Sequence, residues 1–76
     1  MAMDKKDKDK ALFVAFCIEE YGAAKAMTGE QVFDLFSRYG VVDYLSKCFG
    51  PLHTQSRQWL MDEIDEFIGL RKDEGV

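Results

Sequence analysis

Apolar residues recur along this chain at intervals of three and four positions, and that spacing limits the fold more than any other sequence feature. No stretch alternates apolar and polar residues, as a strand would, over more than three or four positions. The sequence therefore predicts an all-α protein with a first helix from about Asp7 to Ala26. Gly22 inside this helix indicates either a close helix contact or an early helix end. One helical face is formed by Leu12, Phe13, Phe16, Cys17 and Tyr21.

A capping box predicts the start of a second helix. Thr28 is followed three residues later by Gln31, so the hydroxyl can accept from the backbone of Gln31 while the side-chain amide accepts from the backbone of Thr28. Gly40 suits a left-handed C-terminal position because it has no Cβ to clash. We therefore expect the second helix to run from near Gly29 to Gly40. Its apolar face would contain Val32, Phe33, Phe36 and Tyr39.

Gly50-Pro51 interrupts the second half of the chain. Proline disfavours helical geometry in the residue before it and has no N–H to donate. A short third helix is predicted from Val41 to Phe49, and Leu52 to Gln55 is predicted to be a loop.

The last apolar segment follows that loop. Thr54 or Ser56 can cap a helix there, and Asp62 is a competing cap. Two alternatives are therefore open: one long helix, or two pieces split near Met61/Asp62. Its broad apolar face would contain Trp59, Leu60, Ile64, Phe67, Ile68 and Leu70.

A chain of 76 residues has room for one domain. We predict a compact single domain of four helices over residues 8–72, with a disordered lead-in at 1–7 and a frayed tail at 73–76. A domain of this size is stable by only about 4 to 11 kcal/mol. Since that leaves little stability to spend on a buried polar active site, we expect no enzyme activity and no cofactor.

The charge balance narrows the classes of partner. The formal net charge is -4. Residues 4–10 contain four lysines and three aspartates, a net of +1, so the remaining chain carries -5. Such a surface repels phosphate backbones, which argues against a nucleic acid and favours a basic protein surface. No apolar run approaches the roughly 20 residues that span a bilayer, and two cysteines without a secretory leader predict the cytoplasm.

The only histidine, His53, lies in the turn before the last helix. Its ordinary pKa would suit acid–base catalysis, but a structural role at the junction of two helices is the stronger interpretation. A metal site formed by His53 with Cys17 and Cys48 is disfavoured, because structural zinc sites need four ligands in close-spaced pairs. Both cysteines are expected to act as small apolar core residues.

Two features point to a protein-binding surface. The densest acidic group surrounds Ile64 and could dock a basic partner, or it could be a solvated helix face. Ten of the 76 residues are aromatic, and those with polar atoms, such as Tyr21, Tyr39 and Tyr44, suit a partly exposed seam as well as a purely structural role. The candidate partner-binding residues are Tyr44, Phe49, His53, Trp59, Asp62, Glu63, Asp65 and Glu66.

Several segments resemble a family of short bacterial proteins that contain a domain of unknown function. The resemblance extends from about Leu12 to Arg71, and it implies a bacterial, cytoplasmic protein without assigned catalytic residues. It also implies a neighbouring gene for a protein similar to ADP-ribosyltransferases, which suggests a toxin–antitoxin-like pair. The segments are Phe16-Cys17-Ile18-Glu19 with Tyr21, Thr28-Gly29-Glu30-Gln31-Val32-Phe33, Tyr39-Gly40-Val41-Val42-Asp43-Tyr44-Leu45, Leu52-His53-Thr54-Gln55 and Asp62-Glu63-Ile64-Asp65-Glu66-Phe67-Ile68.

Three functions remain as hypotheses. The leading one is a small helical protein-interaction module that acts as the antitoxin-like half of such a pair. The second is a helix-turn-helix DNA-binding regulator formed by Gly29 to Phe49, although its second helix offers only Lys47 as a basic side chain. The third is a purely structural homodimer module.

Overall fold

Helices make up nearly all of the chain. The computed structural model describes residues 5–73, and among them no strand occurs. The all-α prediction is confirmed, with one helix more than the four expected. The helices are α1 (Lys5–Lys25), α2 (Gly29–Tyr39), α3 (Val41–Lys47), α4 (Phe49–Leu52) and α5 (Arg57–Asp73).

The first helix begins earlier than predicted. Lys5 to Asp7 were expected in the disordered lead-in but form the first turn of α1. Lysine is a good helix former, and a turn added to a helix already nucleated by packing needs no burial of its own. Asp73, predicted to belong to the frayed tail, is the last residue of α5. The rest of the predicted lead-in and tail, residues 1–4 and 74–76, lies outside the described range.

The end of α1 is closed by a Schellman-type turn. Ala26 has a left-handed backbone with φ of 56°, and the N–H of Met27 donates to the carbonyl of Gly22 at 2.9 Å. Gly22 is buried, and a Cβ built on it would lie 2.8 Å from the carbonyl oxygen of Met27 and 3.4 Å from Cγ2 of Val32. The structure supports the first of the two interpretations of Gly22, because Val32 of α2 and, more closely, the turn at Met27 both pack against this residue.

Both caps of α2 are as predicted. The Oγ1 of Thr28 accepts from the N–H of Gln31 at 3.1 Å, and the Gln31 side chain accepts from the N–H of Thr28 at 2.9 Å. Gly40 is left-handed with φ of 73° and lies directly between α2 and α3. These local interactions fix where α2 begins and ends.

Gly50-Pro51 does not break the chain as predicted. Both residues lie inside α4, a single turn that follows α3 after Cys48. The first N–H groups of any helix have no partner within the helix, so proline in a first turn removes no hydrogen bond. Leu52 consequently belongs to α4 and is buried, and the loop lies one residue later than predicted, at residues 53–56.

The final helix is one uninterrupted element. The Oγ of Ser56 accepts from the N–H of Trp59 at 3.2 Å, which caps the first turn of α5. Asp62 lies inside the helix, so the alternative of two pieces split near Met61/Asp62 is wrong. All side chains from Arg57 to Lys72 therefore project from one continuous helix.

The core lies around α1, which packs against α2, α3 and α5. Within the described part of the chain, no charged or polar side chain is fully buried. The buried residues are Phe13, Cys17, Tyr21, Val32, Phe36, Tyr39, Val41, Leu45, Leu52, Leu60, Met61, Ile64 and Ile68.

The buried faces are narrower than the apolar faces predicted from the sequence. Five large apolar side chains remain exposed although the sequence assigned each to an apolar helix face. Apolar spacing shows that a face exists, but only the neighbouring helices decide how much of it is covered. The exposed fractions are 67% for Leu12, 42% for Phe16, 52% for Phe33, 42% for Trp59 and 59% for Leu70.

Candidate functional site

The outward side of α5 combines exposed apolar residues with acidic ones. Residues 59, 63, 66 and 70 follow the i, i+4, i+7, i+11 spacing of one helical face, opposite the buried Ile64 and Ile68. Asp62 lies beside them. We call this surface the α5 outer face, and it consists of Trp59, Asp62, Glu63, Glu66 and Leu70.

The carboxylates of the α5 outer face form no ion pair with the part of the chain that the structure describes. The side chain of Asp62 accepts a hydrogen bond from the Gln58 amide at 3.0 Å. Across residues 5–73, the ion pairs are Lys25–Asp65, Lys47–Asp43 and Arg57–Glu20, and none involves this face. The negative charge around Trp59 and Leu70 is therefore not neutralised by an ion pair within residues 5–73, and the surface favours positively charged ligands.

Glu63 is held in place from α3. The Tyr44 hydroxyl donates to Oε2 of Glu63 at 2.7 Å, and the Tyr44 ring stacks on Phe67 with 4.5 Å between centroids. The guanidinium of Arg71 lies 4.7 Å from the centroid of Phe67. Burial and the Glu63 carboxylate raise the pKa of Tyr44 to about 12. The hydroxyl therefore stays protonated at neutral pH and fixes the Glu63 carboxylate at the edge of the α5 outer face.

Asp65 lies on a different side of α5 from the other three acids. Its Oδ1 accepts from the Tyr21 hydroxyl at 2.7 Å, and its Oδ2 pairs with the Lys25 ammonium at 2.9 Å. Burial alone would raise the pKa of Asp65, but the hydrogen bonds from Lys25 and Tyr21 outweigh it and hold that pKa below its usual range. Burial and Asp65 raise the pKa of Tyr21 above its own usual range. Asp65 thus joins α5 to α1, and both of its carboxylate oxygens are engaged by α1.

Replacement of Asp65 by asparagine is expected to lower the free energy of unfolding by about 0.5 to 1 kcal/mol at pH 7, because the partly exposed pair with Lys25 is lost. The folded-state pKa of Asp65 is depressed, so its contribution is complete above the unfolded pKa of about 3.9 and is lost as the pH falls through the folded value. Urea unfolding at pH 7 and pH 3 should show the difference between wild type and Asp65→Asn shrinking in acid.

The exposed acid Asp34 on α2 supplies the control for that pH series. Asp34→Asn should leave the urea midpoint nearly unchanged at both pH values. A stability difference for Asp65→Asn that is as large at pH 3 as at pH 7 would contradict the assigned ion pair.

His53 has a structural position after α4. Its ring stacks on Phe49 with centroids 4.4 Å apart, and its Nδ1 lies 2.8 Å from the Phe49 carbonyl oxygen, which can only accept. A hydrogen bond at this position requires that Nδ1 carry a proton and donate to the carbonyl. Phe49 in turn meets Phe13 of the core edge-on at 5.6 Å. This arrangement agrees with the structural interpretation of His53.

The predicted aromatic seam is only partly assembled. Tyr44 and Phe49 are half-buried, Tyr21 and Tyr39 are buried, and Trp59 is exposed. Among the described residues, no ring contact links Trp59 to the Tyr44 or Phe49 stacks. The residue that sequence reasoning missed is Leu70, which was assigned to the apolar face of the helix. Leu70 follows Trp59 by eleven residues, which is about three helical turns. That spacing was the sequence signal that the two residues share one side of the helix.

Both cysteines are free thiols. Cys17 is fully buried, and burial raises the pKa of its thiol to about 12; Cys48 is half-buried and free. In the described range, no three His, Cys, Asp or Glu side chains are close enough to hold a metal ion. Cys17 packs as the small apolar core residue that the sequence suggested.

Comparison with known proteins places the chain in a family. The model of a family of proteins of unknown function matches residues 12–71. The chain belongs to the DUF3791 family. No curated protein matches it, and no solved structure does. The DUF3791 match contains the whole α5 outer face together with Tyr44, so the surface described above lies within the family domain.

The pair α2–α3 in this DUF3791 chain gives the helix-turn-helix hypothesis no support. The two helices are joined by Gly40 alone, and α3 has only seven residues. Its one cation, Lys47, forms an ion pair with Asp43 at 3.0 Å. A recognition helix needs several side chains that reach bases and phosphates. Within residues 5–73, no helix has the length and apolar character that a membrane crossing requires.

Proposed function

We propose that this DUF3791 protein is a small helical interaction module that binds a protein partner through the α5 outer face. The observation that carries the proposal is the exposure of Trp59 and Leu70 on the same side of one rigid helix, with unneutralised carboxylates between them. Tryptophan in the centre of an interface is among the residues that contribute most to binding energy.

The charges on this surface define the chemistry of the partner. Glu63 and Glu66 lie between Trp59 and Leu70 along the helix, so the complementary surface would place lysine or arginine between two apolar contacts. An amphipathic basic helix lying along α5 meets that requirement. Such charges act mainly on the association rate and on specificity, so binding should weaken as salt rises.

The resemblance noted in the sequence supplies a specific partner for this proposal. It implies a bacterial, cytoplasmic protein with a neighbouring gene for a protein similar to ADP-ribosyltransferases. In that setting this chain would be the antitoxin-like half of the pair and would neutralise the neighbouring gene product by binding to it. The proposed role is binding without catalysis, and it requires no cofactor and no nucleic acid.

Co-expression with the neighbouring gene product, followed by co-purification, tests the proposal. Wild type should co-elute with the partner and relieve any growth defect that the partner causes. The double variant Trp59→Ala/Leu70→Ala should bind at least about 30-fold more weakly, since a lost hot spot corresponds to about 2 kcal/mol. Phe33→Ala removes an aromatic side chain from α2 that is somewhat more exposed than Trp59 and should bind within about twofold of wild type.

The charge of the α5 outer face can be tested in the same assay. Glu66→Lys places a like charge against a basic partner, so it should slow association and remove most of the salt dependence. Two proteins that elute separately, or a complex that tolerates both the double alanine variant and Glu66→Lys, would overturn the proposal.

A further inference from the structure

A second exposed apolar surface lies on α1, on the side away from the core. Residues 5, 8, 12, 16 and 19 recur at three- and four-residue intervals, as one helical face does. Lys5, Lys8 and Glu19 are exposed, as are the two apolar residues between them. We call this surface the α1 outer face, and it consists of Lys5, Lys8, Leu12, Phe16 and Glu19.

The two ends of the α1 outer face carry opposite charge. Residues 5–10 contain four lysines and two aspartates, a net of +2. Further along, Glu20 is engaged by Arg57 of α5, whereas Glu19 has no cation partner among the ion pairs of residues 5–73. Asp9 lies at the edge of the face and is half-buried. The surface is therefore basic at its start, apolar in its middle and acidic at its end.

That order of charges is complementary to itself when a second α1 runs antiparallel. The midpoint between Leu12 and Phe16 is position 14, and the midpoint between Lys8 and Glu19 is position 13.5. Half a residue corresponds to about 0.75 Å along a helix. One two-fold axis near this point therefore sets Leu12 of one copy against Phe16 of the other, and Lys8 against Glu19, at the same time.

The α5 outer face lacks this property. The midpoint between Trp59 and Leu70 is 64.5, and so is the midpoint between Glu63 and Glu66. An antiparallel pairing of two α5 helices would set glutamate against glutamate, and like charges in contact disfavour association. The charge pattern therefore favours association of two copies through α1. The α5 outer face is better suited to a different, basic protein.

We infer that this chain forms a two-fold symmetric dimer through antiparallel α1 helices. Leu12 and Phe16 pack across the axis, and Lys8 of each copy pairs with Glu19 of the other. The contact is isologous, the commonest form of homo-oligomer interface. Because it does not use the α5 outer face, each copy in the dimer retains a free surface for its partner.

Sedimentation equilibrium of the purified chain over a concentration series tests the dimer. Wild type should show a monomer–dimer equilibrium that weakens with added salt. Leu12→Ala/Phe16→Ala should weaken dimerisation at least about tenfold, because the apolar contacts across the axis are lost. Trp59→Ala/Leu70→Ala removes the same number of exposed apolar side chains from α5 and should leave the dimer unchanged.

A charge exchange tests the antiparallel register. Lys8→Glu and Glu19→Lys should each weaken the dimer, and the double variant Lys8→Glu/Glu19→Lys should restore it, because each position faces the other across the axis. A wild type that stays monomeric at all concentrations, or a double exchange that does not restore association, would overturn the inference. Either result leaves the partner assay on α5 unaffected, so the two proposals fail separately.

Discussion

Replacing Phe36 by alanine is expected to lower the free energy of unfolding by about 3 to 5 kcal/mol, the range typical of a buried phenylalanine. Phe36 is fully buried, and its ring meets that of Tyr21 edge-on at 5.3 Å. A chain of this length is stable by only about 4 to 11 kcal/mol in total. The variant should therefore melt at least about 12 °C below wild type in thermal unfolding followed by circular dichroism.

Phe33, one turn earlier on α2, is the matched control. It is the same residue type on the same helix, but half of its side chain is exposed. Phe33→Ala should change the stability by less than about 1 kcal/mol. If Phe36→Ala does not fold, Phe36→Leu should still fold, with a loss of about 1 kcal/mol, since it preserves most of the volume. Equal losses of stability on replacement of Phe33 and Phe36 by alanine would contradict the packing described for α2.

Gly22→Ala is expected to lower the free energy of unfolding by about 1 to 2 kcal/mol, although alanine is normally the better helix former by about 1 kcal/mol. The added Cβ would lie 2.8 Å from the carbonyl oxygen of Met27. That oxygen belongs to the backbone turn that closes α1, so it cannot move away as the end of a flexible side chain could. Urea unfolding curves would measure the loss.

Gly69→Ala provides the opposite case. Gly69 lies inside α5, and a Cβ placed on it would meet nothing within 4 Å. The substitution should raise the stability by about 0.5 to 1 kcal/mol, because only the helix propensity changes. The two glycine-to-alanine substitutions should therefore change the free energy of unfolding in opposite directions. Stabilisation by both would show that the Met27 carbonyl does not lie against Gly22 as described.

Those parts of the fold that depend on neighbouring residues in the sequence were predictable. The capping box of Thr28 and Gln31 and the left-handed Gly40 define α2 through contacts within a few residues, so the pattern alone located both ends. The all-α class followed in the same way from the spacing of apolar residues.

The parts that depend on the rest of the fold were not predictable. Pro51 was expected to end a helix, but its position in the first turn of α4 costs no hydrogen bond. Asp62 has the residue type of a cap, yet Ser56 is the side chain that caps α5. Several residue types fit each role, and the sequence does not show which one the packed helices select.

The candidate site shows the same limit. Sequence reasoning grouped Asp65 with Glu63 and Glu66, but one helical step turns Asp65 towards Tyr21 and Lys25 of α1. It also assigned Trp59 and Leu70 to a broad apolar face, and these prove to be exposed. The composition of the surface was predictable, whereas its division into the α1 and α5 outer faces required knowledge of which sides the other helices cover.

Trp59 is the only tryptophan of the chain, and it offers the most direct test of the proposed docking site. The chain can be labelled with 5-fluorotryptophan and titrated with the unlabelled neighbouring gene product while its single fluorine resonance is recorded by NMR. We predict that the resonance shifts or broadens in proportion to the complex formed and loses its sensitivity to exchange of H₂O for D₂O, because the indole becomes buried. If a mass measurement detects the complex while this resonance keeps its position and its solvent sensitivity, the assignment of the α5 outer face as the docking site would be contradicted.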